Sequence, residues 1–190
     1  MNITIAQGSL PQKPLPVVIN LFGGPGIGKT TMAARLFVQL KLLGIETANP
    51  EEHAKLALWK GRPNLLDEQL IILGQSWETL HALIPHVDVV VMDSPLLLCS
   101  VYAGKREKIY FHDTVADFHK RLPRINILLQ RPKSLTYSER GRRENEEEAQ
   151  SLDERIENTL MLYDEPYYKI ESGETAAKDI ANIVHQYTTS

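Results

Sequence analysis

The chain has 190 residues, with 21 basic and 24 acidic side chains and a formal net charge of −3 at pH 7. This length favours one domain with a well-buried core, and the balanced charge gives no general reason to expect a polyanionic partner, although it is compatible with a local basic patch. Cys99 is the single cysteine, which excludes a disulfide framework and a cysteine-rich metal site and fits a reducing cytoplasm.

No apolar run approaches the roughly 20 residues needed to cross a bilayer, and the N-terminus lacks a basic region followed by an apolar one. We therefore expect a cytoplasmic protein with no membrane partner. Residues 1–16 contain Gly8, Pro11, Pro14 and Pro16 and are expected to form a flexible arm. Residues 17–190 are expected to form a single domain.

A buried strand, a glycine-rich turn and a long helix are predicted between Val17 and Leu43. The strand covers residues 17–22, and the turn over residues 23–30 reads GGPGIGKT, the G-x-x-x-x-G-K-[ST] phosphate-binding loop. Its glycines let successive backbone N–H groups converge on phosphate oxygens, and the helix N-terminus adds a positive dipole end. Lys29 then reaches the β- and γ-phosphates of ATP, and the Thr30 hydroxyl supplies a ligand for Mg²⁺. The predicted nucleotide-binding residues are Gly24, Gly26, Ile27, Gly28, Lys29, Thr30 and Thr31.

The first helix is expected to pack onto the sheet through apolar residues and to end at Gly44, which suits a C-terminal cap. These apolar residues are Met32, Leu36, Val38, Leu40 and Leu43. Residues 45–48 are then expected to form a short strand, and residues 51–60 a helix that ends at Gly61.

Glu52 is predicted to lie at the carboxyl edge of the second strand. Its carboxylate either reaches into an acceptor pocket or serves only the dipole of the helix that begins there. Lys55 is a second candidate for acceptor binding, with an ion pair to Glu51 as the alternative. Trp59 is a candidate stacking platform, although its helical spacing from Leu56 favours a core position.

Residues 65–83 predict a longer helix with an apolar stripe, on which Gln69 and Gln75 could face either way. The stripe consists of Leu66, Leu70, Leu73, Trp77 and Leu80. Residues 87–92 follow as a continuous apolar strand that ends in Asp93-Ser94-Pro95. Continuous hydrophobicity is typical of a central parallel strand with helices on both faces.

Asp93 is a candidate catalytic residue beside Lys29. Ligands of open α/β sheets bind beyond the carboxyl ends of the strands, and both Asp93 and the phosphate loop follow such ends. A carboxylate there can hold the Mg²⁺ shell or accept a proton from an acceptor hydroxyl, as a kinase base does. The sequence alone does not separate these roles, and an exposed loop aspartate before Pro95 is the structural alternative.

Cations and aromatic rings alternate between Lys105 and His112, and Arg106 is the candidate acceptor-binding cation of this segment. Because bases stack on rings and phosphates pair with cations, the segment fits a phosphorylated or base-containing acceptor. Solvated cations beside core rings are an equal alternative. Asp113 or Thr114 is expected to cap the next helix.

Residues 125–129 predict a fourth strand, and a charged segment follows over about residues 131–148, basic first and then acidic. A loop of arginines that leads into a helix is typical of a phosphoryl-transfer lid, in which guanidinium groups neutralise transition-state charge and help to exclude water. The candidate catalytic arginines are Arg140 and Arg142, as lid cations, and Arg131, at the lid hinge. A solvated, salt-bridged segment is the alternative.

The acidic half of the lid begins a helix that is expected to reach about Tyr163. Its apolar stripe comprises Leu152, Ile156, Leu160 and Tyr163. Residues 167–170 are expected to form the last strand, and a final helix runs to about Tyr187.

These segments together resemble the P-loop kinases of the nucleoside and nucleotide kinase type. More narrowly, they are similar to small bacteriophage kinases, one branch of which phosphorylates 5-hydroxymethyluracil in DNA. The resemblance rests on GGPGIGKTT, on residues 52–55 with Trp59, on VDVVVMDSPLLL with Tyr102, and on GRRENEEEAQSLDERI. It covers almost the whole chain after the N-terminal arm. It implies a three-layer α/β P-loop NTPase fold with about five parallel strands, helices on both faces and an arginine-rich lid.

The function that this resemblance implies is ATP- and Mg²⁺-dependent transfer of the γ-phosphate to an acceptor hydroxyl. The candidate acceptor-binding residues are Glu52, Lys55, Trp59, Tyr102 and Arg106. Better-known nucleoside kinases place a Glu-Arg pair where this chain has Asp93-Ser94, so the acceptor stays open between hydroxymethylated DNA, which we favour, and a free nucleoside or nucleotide. A P-loop ATPase or GTPase without an acceptor is the second alternative, although the chain has no Asn-Lys-x-Asp guanine-reading segment. The sequence does not indicate an oligomeric state.

Overall fold

The computed structural model describes residues 14–104, 107–132 and 146–189. Its strands are β1 (Val17–Phe22), β2 (Thr47–Ala48), β3 (Val89–Met92), β4 (Arg124–Gln130) and β5 (Tyr167–Glu171). They form one parallel sheet in the order β2-β3-β1-β4-β5. The five-stranded parallel α/β fold expected from the sequence is therefore confirmed.

Helices connect the strands and cover both faces of the sheet. They are α1 (Lys29–Leu42), α2 (His53–Trp59), α3 (Gln69–Leu83), α4 (Leu98–Tyr102), α5 (Ile109–Lys120), α6 (Glu146–Leu162) and α7 (Ala176–Thr189). A 3₁₀ turn at Pro63–Asp67 precedes α3. Within the described residues, no helix combines the length and apolar character needed to cross a membrane.

Alternate residues of the buried strands enter two separate hydrophobic cores. On one face, Ile19 and Val91 pack with α1 and α7, whereas on the other face Val18 and Val90 pack with α3, α5 and α6. All six residues of β1 and all four of β3 are buried. Helices on both faces explain why these strands are continuously apolar rather than alternating.

The register of the sheet places the phosphate loop and Asp93 at the same edge. β1 pairs directly with β3, and Asn20 lies opposite Met92. Asp93 therefore follows β3 at the level where β1 approaches its own end at Phe22. Because parallel strands share one carboxyl edge, the two segments predicted to carry chemistry are neighbours.

Several predicted packing positions were wrong. On α1 the buried face consists of Met32, Ala33, Leu36 and Leu40. Val38 and Leu43, which were expected to pack on the sheet, are 51% and 47% exposed. On α3 the buried face consists of Gln69, Ile72, Leu73 and Leu80, so Leu70 lies beside this face and is 62% exposed.

The start of α5 also differs from the prediction. Lys108 occupies the N-cap position, so Asp113 and Thr114 lie inside the helix and cap nothing. The Thr114 hydroxyl donates a hydrogen bond to the carbonyl oxygen of Tyr110 at 2.7 Å, a local bond that a threonine inside a helix commonly makes. On α6 the predicted apolar stripe is confirmed at Leu152, Ile156 and Leu160, which are buried.

A buried carboxylate, Glu165, ties the segment after α6 to β4. The Arg124 guanidinium donates to both of its oxygens at 2.7 and 2.8 Å, and the Asn126 amide donates at 3.0 Å. His119 Nε2 lies 3.5 Å away, and the Asn20 side chain of β1 donates to Asn126 at 3.0 Å. Burial alone would raise the pKa of Glu165, but the interactions with His119 and Arg124 prevail and lower it to about 2.

Replacing Glu165 with Gln at pH 7 should cost about 2–4 kcal/mol of unfolding free energy, because the other members of a buried charged network lose their partner. The folded pKa of about 2 lies below the ordinary value of 4.5. The carboxylate therefore stabilises the fold fully above pH 4.5, and this contribution is lost as the pH falls from 4.5 to 2. Urea unfolding should show the stability gap between wild type and Glu165→Gln narrowing over that interval.

The matched control is Glu78→Gln, which neutralises an exposed carboxylate on α3. It should change the unfolding free energy by less than about 0.5 kcal/mol. A Glu165→Gln gap that stays constant between pH 4.5 and 2 would contradict the assignment.

Candidate active site

The phosphate loop joins the end of β1 to the start of α1. Three of its glycines have positive φ angles: Gly23 at 144°, Gly26 at 82° and Gly28 at 96°. Residues other than glycine rarely adopt these φ angles, so the turn requires glycine at these three positions. The Lys29 ammonium folds back over the loop and donates hydrogen bonds to the carbonyl oxygens of Gly23 at 2.6 Å and Gly24 at 3.2 Å.

The electrostatic environment of Lys29 is mixed. Burial lowers the pKa of its ammonium, whereas the carboxylates of Glu52, Asp93 and Asp153 raise it, and the Arg131 guanidinium lowers it slightly. A partly desolvated ammonium at the start of a helix attracts anions more strongly than an exposed one. The site therefore has the charge and geometry that a phosphate group requires.

Two carboxylates, Glu52 and Asp93, line one small pocket beside the loop. Glu52 is the N-cap residue of α2, and Asp93 follows β3 with 7% of its surface exposed. Burial and the neighbouring Asp93 raise the pKa of Glu52, while Lys29 and Lys55 oppose this shift. The arrangement is a coupled carboxylate pair next to a cation.

A cleft of about 820 Å³ opens in front of the loop. Four of the five predicted acceptor residues line it together, on α2 and at the end of α4. They are Glu52, Lys55, Trp59 and Tyr102. The loop side of the cleft is formed by Gly26, Gly28, Lys29, Thr30 and Thr31. Of the remaining predicted nucleotide residues, Ile27 buries its side chain in the core and Gly24 contacts α6.

Trp59 does not occupy the core position that its spacing favoured. Its side chain is 71% exposed, and the Lys55 ammonium lies 4.9 Å from the ring centroid. The helix α2 ends directly after Trp59, which leaves the indole at the cleft rather than under a neighbouring element. Gln69, which the sequence left open, is buried and donates to the Leu66 carbonyl oxygen at 2.7 Å.

Asp153 on α6 is a site residue that the sequence analysis missed. One of its oxygens accepts a hydrogen bond from the Gly24 backbone N–H at 2.5 Å. The other accepts from Arg131 Nε at 2.6 Å, and Arg131 Nη2 donates to the Pro25 carbonyl oxygen at 2.7 Å. Nothing in the local sequence distinguishes Asp153 from the other acidic residues of α6, because its partner lies 129 residues away.

Three predicted site residues, Arg106, Arg140 and Arg142, lie outside the described residues, as do most of the lid and residues 1–13 of the N-terminal arm. Arg131, at the predicted hinge, directly follows β4 and contacts the phosphate loop. The roles assigned to the lid arginines stay predictions.

The residues near the phosphate loop fit a magnesium ion that is held mainly by a nucleotide. Thr30 lines the cleft, and Asp93 lines the small pocket beside it; hydroxyl and carboxylate oxygens are hard ligands that suit Mg²⁺. Among the described residues, no three His, Cys, Asp or Glu side chains cluster closely enough to hold a metal by themselves. Magnesium at phosphate sites usually takes one or two protein ligands and completes its shell with phosphate oxygens and water.

This combination of fold and loop defines a P-loop NTPase domain. Residues 18–178 match the family model described as an AAA domain, and the chain belongs to this family. No curated protein matches the sequence.

Solved structures with the same fold include nucleotide-binding proteins. The NadR protein in complex with NAD and AMP-PNP matches with a TM-score of 0.63 and 17% identity over 92% of this chain, which spans 50% of the NadR chain. The deoxyadenosine kinase of M. mycoides with dCMP and dCDP bound matches with a TM-score of 0.50 and 17% identity, over 92% of this chain and 100% of that one. At these identities the similarity establishes the fold.

The position of Trp59 can be tested by fluorescence, because the chain has two tryptophans in different surroundings. Trp77 is partly buried, with its ring 4.9 Å from that of Phe118. Acrylamide should therefore quench Trp77→Phe, which reports on Trp59, several-fold more strongly than Trp59→Phe. Equal quenching of the two variants would place Trp59 away from the open cleft.

Proposed function

We propose that the protein is an ATP- and Mg²⁺-dependent kinase that transfers the γ-phosphate of ATP to a hydroxyl group of a nucleic-acid-related acceptor. The observation that carries this proposal is the single cleft in which the phosphate loop faces the acidic residue Glu52 and an exposed indole. A hydrolase needs room only for water beyond the γ-phosphate. A cleft of about 820 Å³ with aromatic and charged walls favours a second organic substrate.

Glu52 is the better candidate for the general base. It lines both the small carboxylate pocket and the large cleft, whereas Asp93 lines only the small pocket. Its raised pKa makes it a stronger proton acceptor than an ordinary glutamate once it is ionised. In this proposal Asp93 helps to raise the pKa of Glu52, and Asp93 and Thr30 are the protein ligands of Mg²⁺.

In this mechanism the oxygen of the acceptor hydroxyl forms a bond to the γ-phosphorus, and the proton of that hydroxyl is transferred to Glu52. The bond from that phosphorus to the β–γ bridging oxygen breaks, and ADP leaves. Lys29 stays beside the β- and γ-phosphates and neutralises the charge that develops on their oxygens. Magnesium, when bound with ATP, neutralises further phosphate charge.

We favour 5-hydroxymethyluracil in DNA as the acceptor. Trp59 offers a stacking surface for a base, and Lys55 beside it offers a cation for a phosphate of the strand. Because the indole is exposed, a base still attached to a polymer can approach it from solvent. The resemblance to bacteriophage kinases in GGPGIGKTT and VDVVVMDSPLLL supports the same acceptor.

A free nucleoside or nucleotide is the alternative acceptor, and the fold shared with a deoxyadenosine kinase favours it. The second alternative is hydrolysis of ATP without an acceptor, which the match to the AAA domain family favours. These three functions can be separated with γ-labelled ATP and Mg²⁺. The candidate acceptors are DNA containing 5-hydroxymethyluracil, unmodified DNA of the same sequence, and a panel of free nucleosides and nucleotides.

Label that appears in the hydroxymethylated DNA and not in its unmodified partner would support the favoured acceptor. Label in the small molecules alone would establish the first alternative. Phosphate release at the same rate with and without any of these acceptors, and no labelled acceptor, would overturn the kinase proposal.

Glu52→Gln should lower kcat by about 10²- to 10⁴-fold, the usual contribution of a general base, while the affinity for AMP-PNP changes little. The acid limb of the wild-type rate profile should lie above pH 4.5, because activity requires the ionised form of a group whose pKa is raised from that value. Glu51→Gln removes a charge from the same helix end and is the control. Equal losses in both variants would assign Glu52 to the helix dipole instead.

Lys29→Ala should reduce turnover sharply, because its ammonium is the cation nearest to the loop carbonyls that frame the phosphate site. The control is Lys41→Ala, an exposed lysine of α1 whose partner is Glu46. Steady-state kinetics with ATP as the varied substrate measure both. Turnover that survives in Lys29→Ala would remove the phosphate loop from the proposed site.

A further inference from the structure

Helix α6 touches the phosphate loop at Gly24. A Cβ atom at this position would lie 2.6 Å from a carboxylate oxygen of Asp153 and 2.7 Å from the backbone oxygen of Ala149. Real Cβ contacts are longer than this, so Gly24 is required by the approach of α6. Gly24 does not have a positive φ angle, whereas the other three loop glycines do.

The contact between α6 and the loop is polar and charged. Asp153 holds the Gly24 N–H through one carboxylate oxygen and Arg131 through the other. Arg131 in turn holds the Pro25 carbonyl oxygen. Two consecutive residues of the loop are thus bound, Gly24 by its N–H donor and Pro25 by its carbonyl acceptor. The side chains that bind them, Arg131 and Asp153, are 19% and 27% exposed.

The charges in this contact matter for an anionic ligand. Asp153 interacts electrostatically with Lys29, so its carboxylate also lies close to the place where a triphosphate binds. An isolated carboxylate there would repel the phosphates. Arg131, in contact with Asp153 at 2.6 Å, compensates that charge.

We propose that Arg131 and Asp153 are positioning residues for the nucleotide, which hold Gly24 and Pro25 against α6 while Arg131 cancels the negative charge of Asp153. This inference rests on the proposed binding of ATP. It gives Arg131 an indirect role, in contrast to a lid cation that touches the transferring phosphoryl group. The loop amides from Gly26 onward then keep the orientation that binds phosphate oxygens.

The two roles of Arg131 predict opposite responses to a second substitution. If Arg131 acts by compensating the negative charge of Asp153, then Arg131→Ala leaves that charge uncompensated. Adding Asp153→Asn then removes the charge. The asparagine oxygen can still accept the hydrogen bond from the Gly24 N–H. If Arg131 contacts the phosphates directly, Asp153→Asn does not restore what Arg131→Ala removes.

The experiment is calorimetric titration of the full chain with AMP-PNP and MgCl₂ at fixed ionic strength, for wild type, both single variants and the double variant. Arg131→Ala should weaken binding roughly 10- to 100-fold, and Asp153→Asn by a few-fold. The double variant Arg131→Ala/Asp153→Asn should bind more tightly than Arg131→Ala alone. Circular dichroism melting identifies any variant that fails to fold, and Arg131→Lys, which keeps the charge, then replaces Arg131→Ala with an expected intermediate loss.

A matched ion pair serves as the control. Asp117 accepts hydrogen bonds from Arg121 Nε at 3.1 Å and Nη2 at 2.6 Å on the exposed surface of α5. Asp117→Asn changes the same charge in the same kind of pair, away from the loop, and should leave AMP-PNP binding unchanged. In turnover assays Arg131→Ala should raise the KM for ATP and leave kcat within about threefold, as expected for loss of uniform binding.

Failure of wild type to bind AMP-PNP would overturn the proposed function and this inference together. Binding by wild type with unchanged affinity in Arg131→Ala would overturn the inference alone. So would a double variant that binds no better than Arg131→Ala, or an Arg131→Ala variant that loses kcat rather than ATP affinity.

Discussion

The direct parallel pairing of β1 with β3 is the constraint on which the rest of the site depends. It brings the phosphate loop and Asp93 to one edge of the sheet with no strand between them. The short β2 pairs with the other side of β3, and the chain that leaves it carries Glu52 to the same edge. Three separate segments therefore meet because their strands are adjacent and parallel, and buried apolar side chains on both faces hold those strands in register.

The charges at this edge favour the binding of an anion. Lys29 is the cation within the loop, and its hydrogen bonds go to backbone carbonyl oxygens. Glu52, Asp93 and Asp153 all interact with it, and burial still lowers its pKa. An ammonium in this position has lost hydration without gaining a direct ion pair in the described structure. Negative charge placed close to a buried ammonium stabilises its charged form more strongly than carboxylates at a greater distance do.

The sequence predicted the order and type of most elements, because glycine-rich loops and continuous apolar strands are local signals. It was wrong where tertiary packing decides which face of a helix is buried, or where a helix ends. Leu70 faces solvent because α3 packs through Gln69, Ile72, Leu73 and Leu80, and Trp59 is exposed at the C-terminal end of α2. Four of the candidate acceptor residues line one cleft, yet no local pattern showed that α2 and α4 form its walls.

Gly24 shows most clearly why part of the site was beyond sequence reasoning. From the sequence alone, phosphate binding explains the glycine at position 24 as well as it explains Gly26 and Gly28. In the structure the three positions require glycine for different reasons. Gly26 and Gly28 have positive φ angles, whereas a side chain at Gly24 would collide with Asp153 and Ala149 of α6. A motif records which residue types occur but not which contact requires each of them. Because the helix that requires Gly24 lies more than 120 residues further along the chain, only the folded arrangement links the phosphate loop to the segment that follows β4.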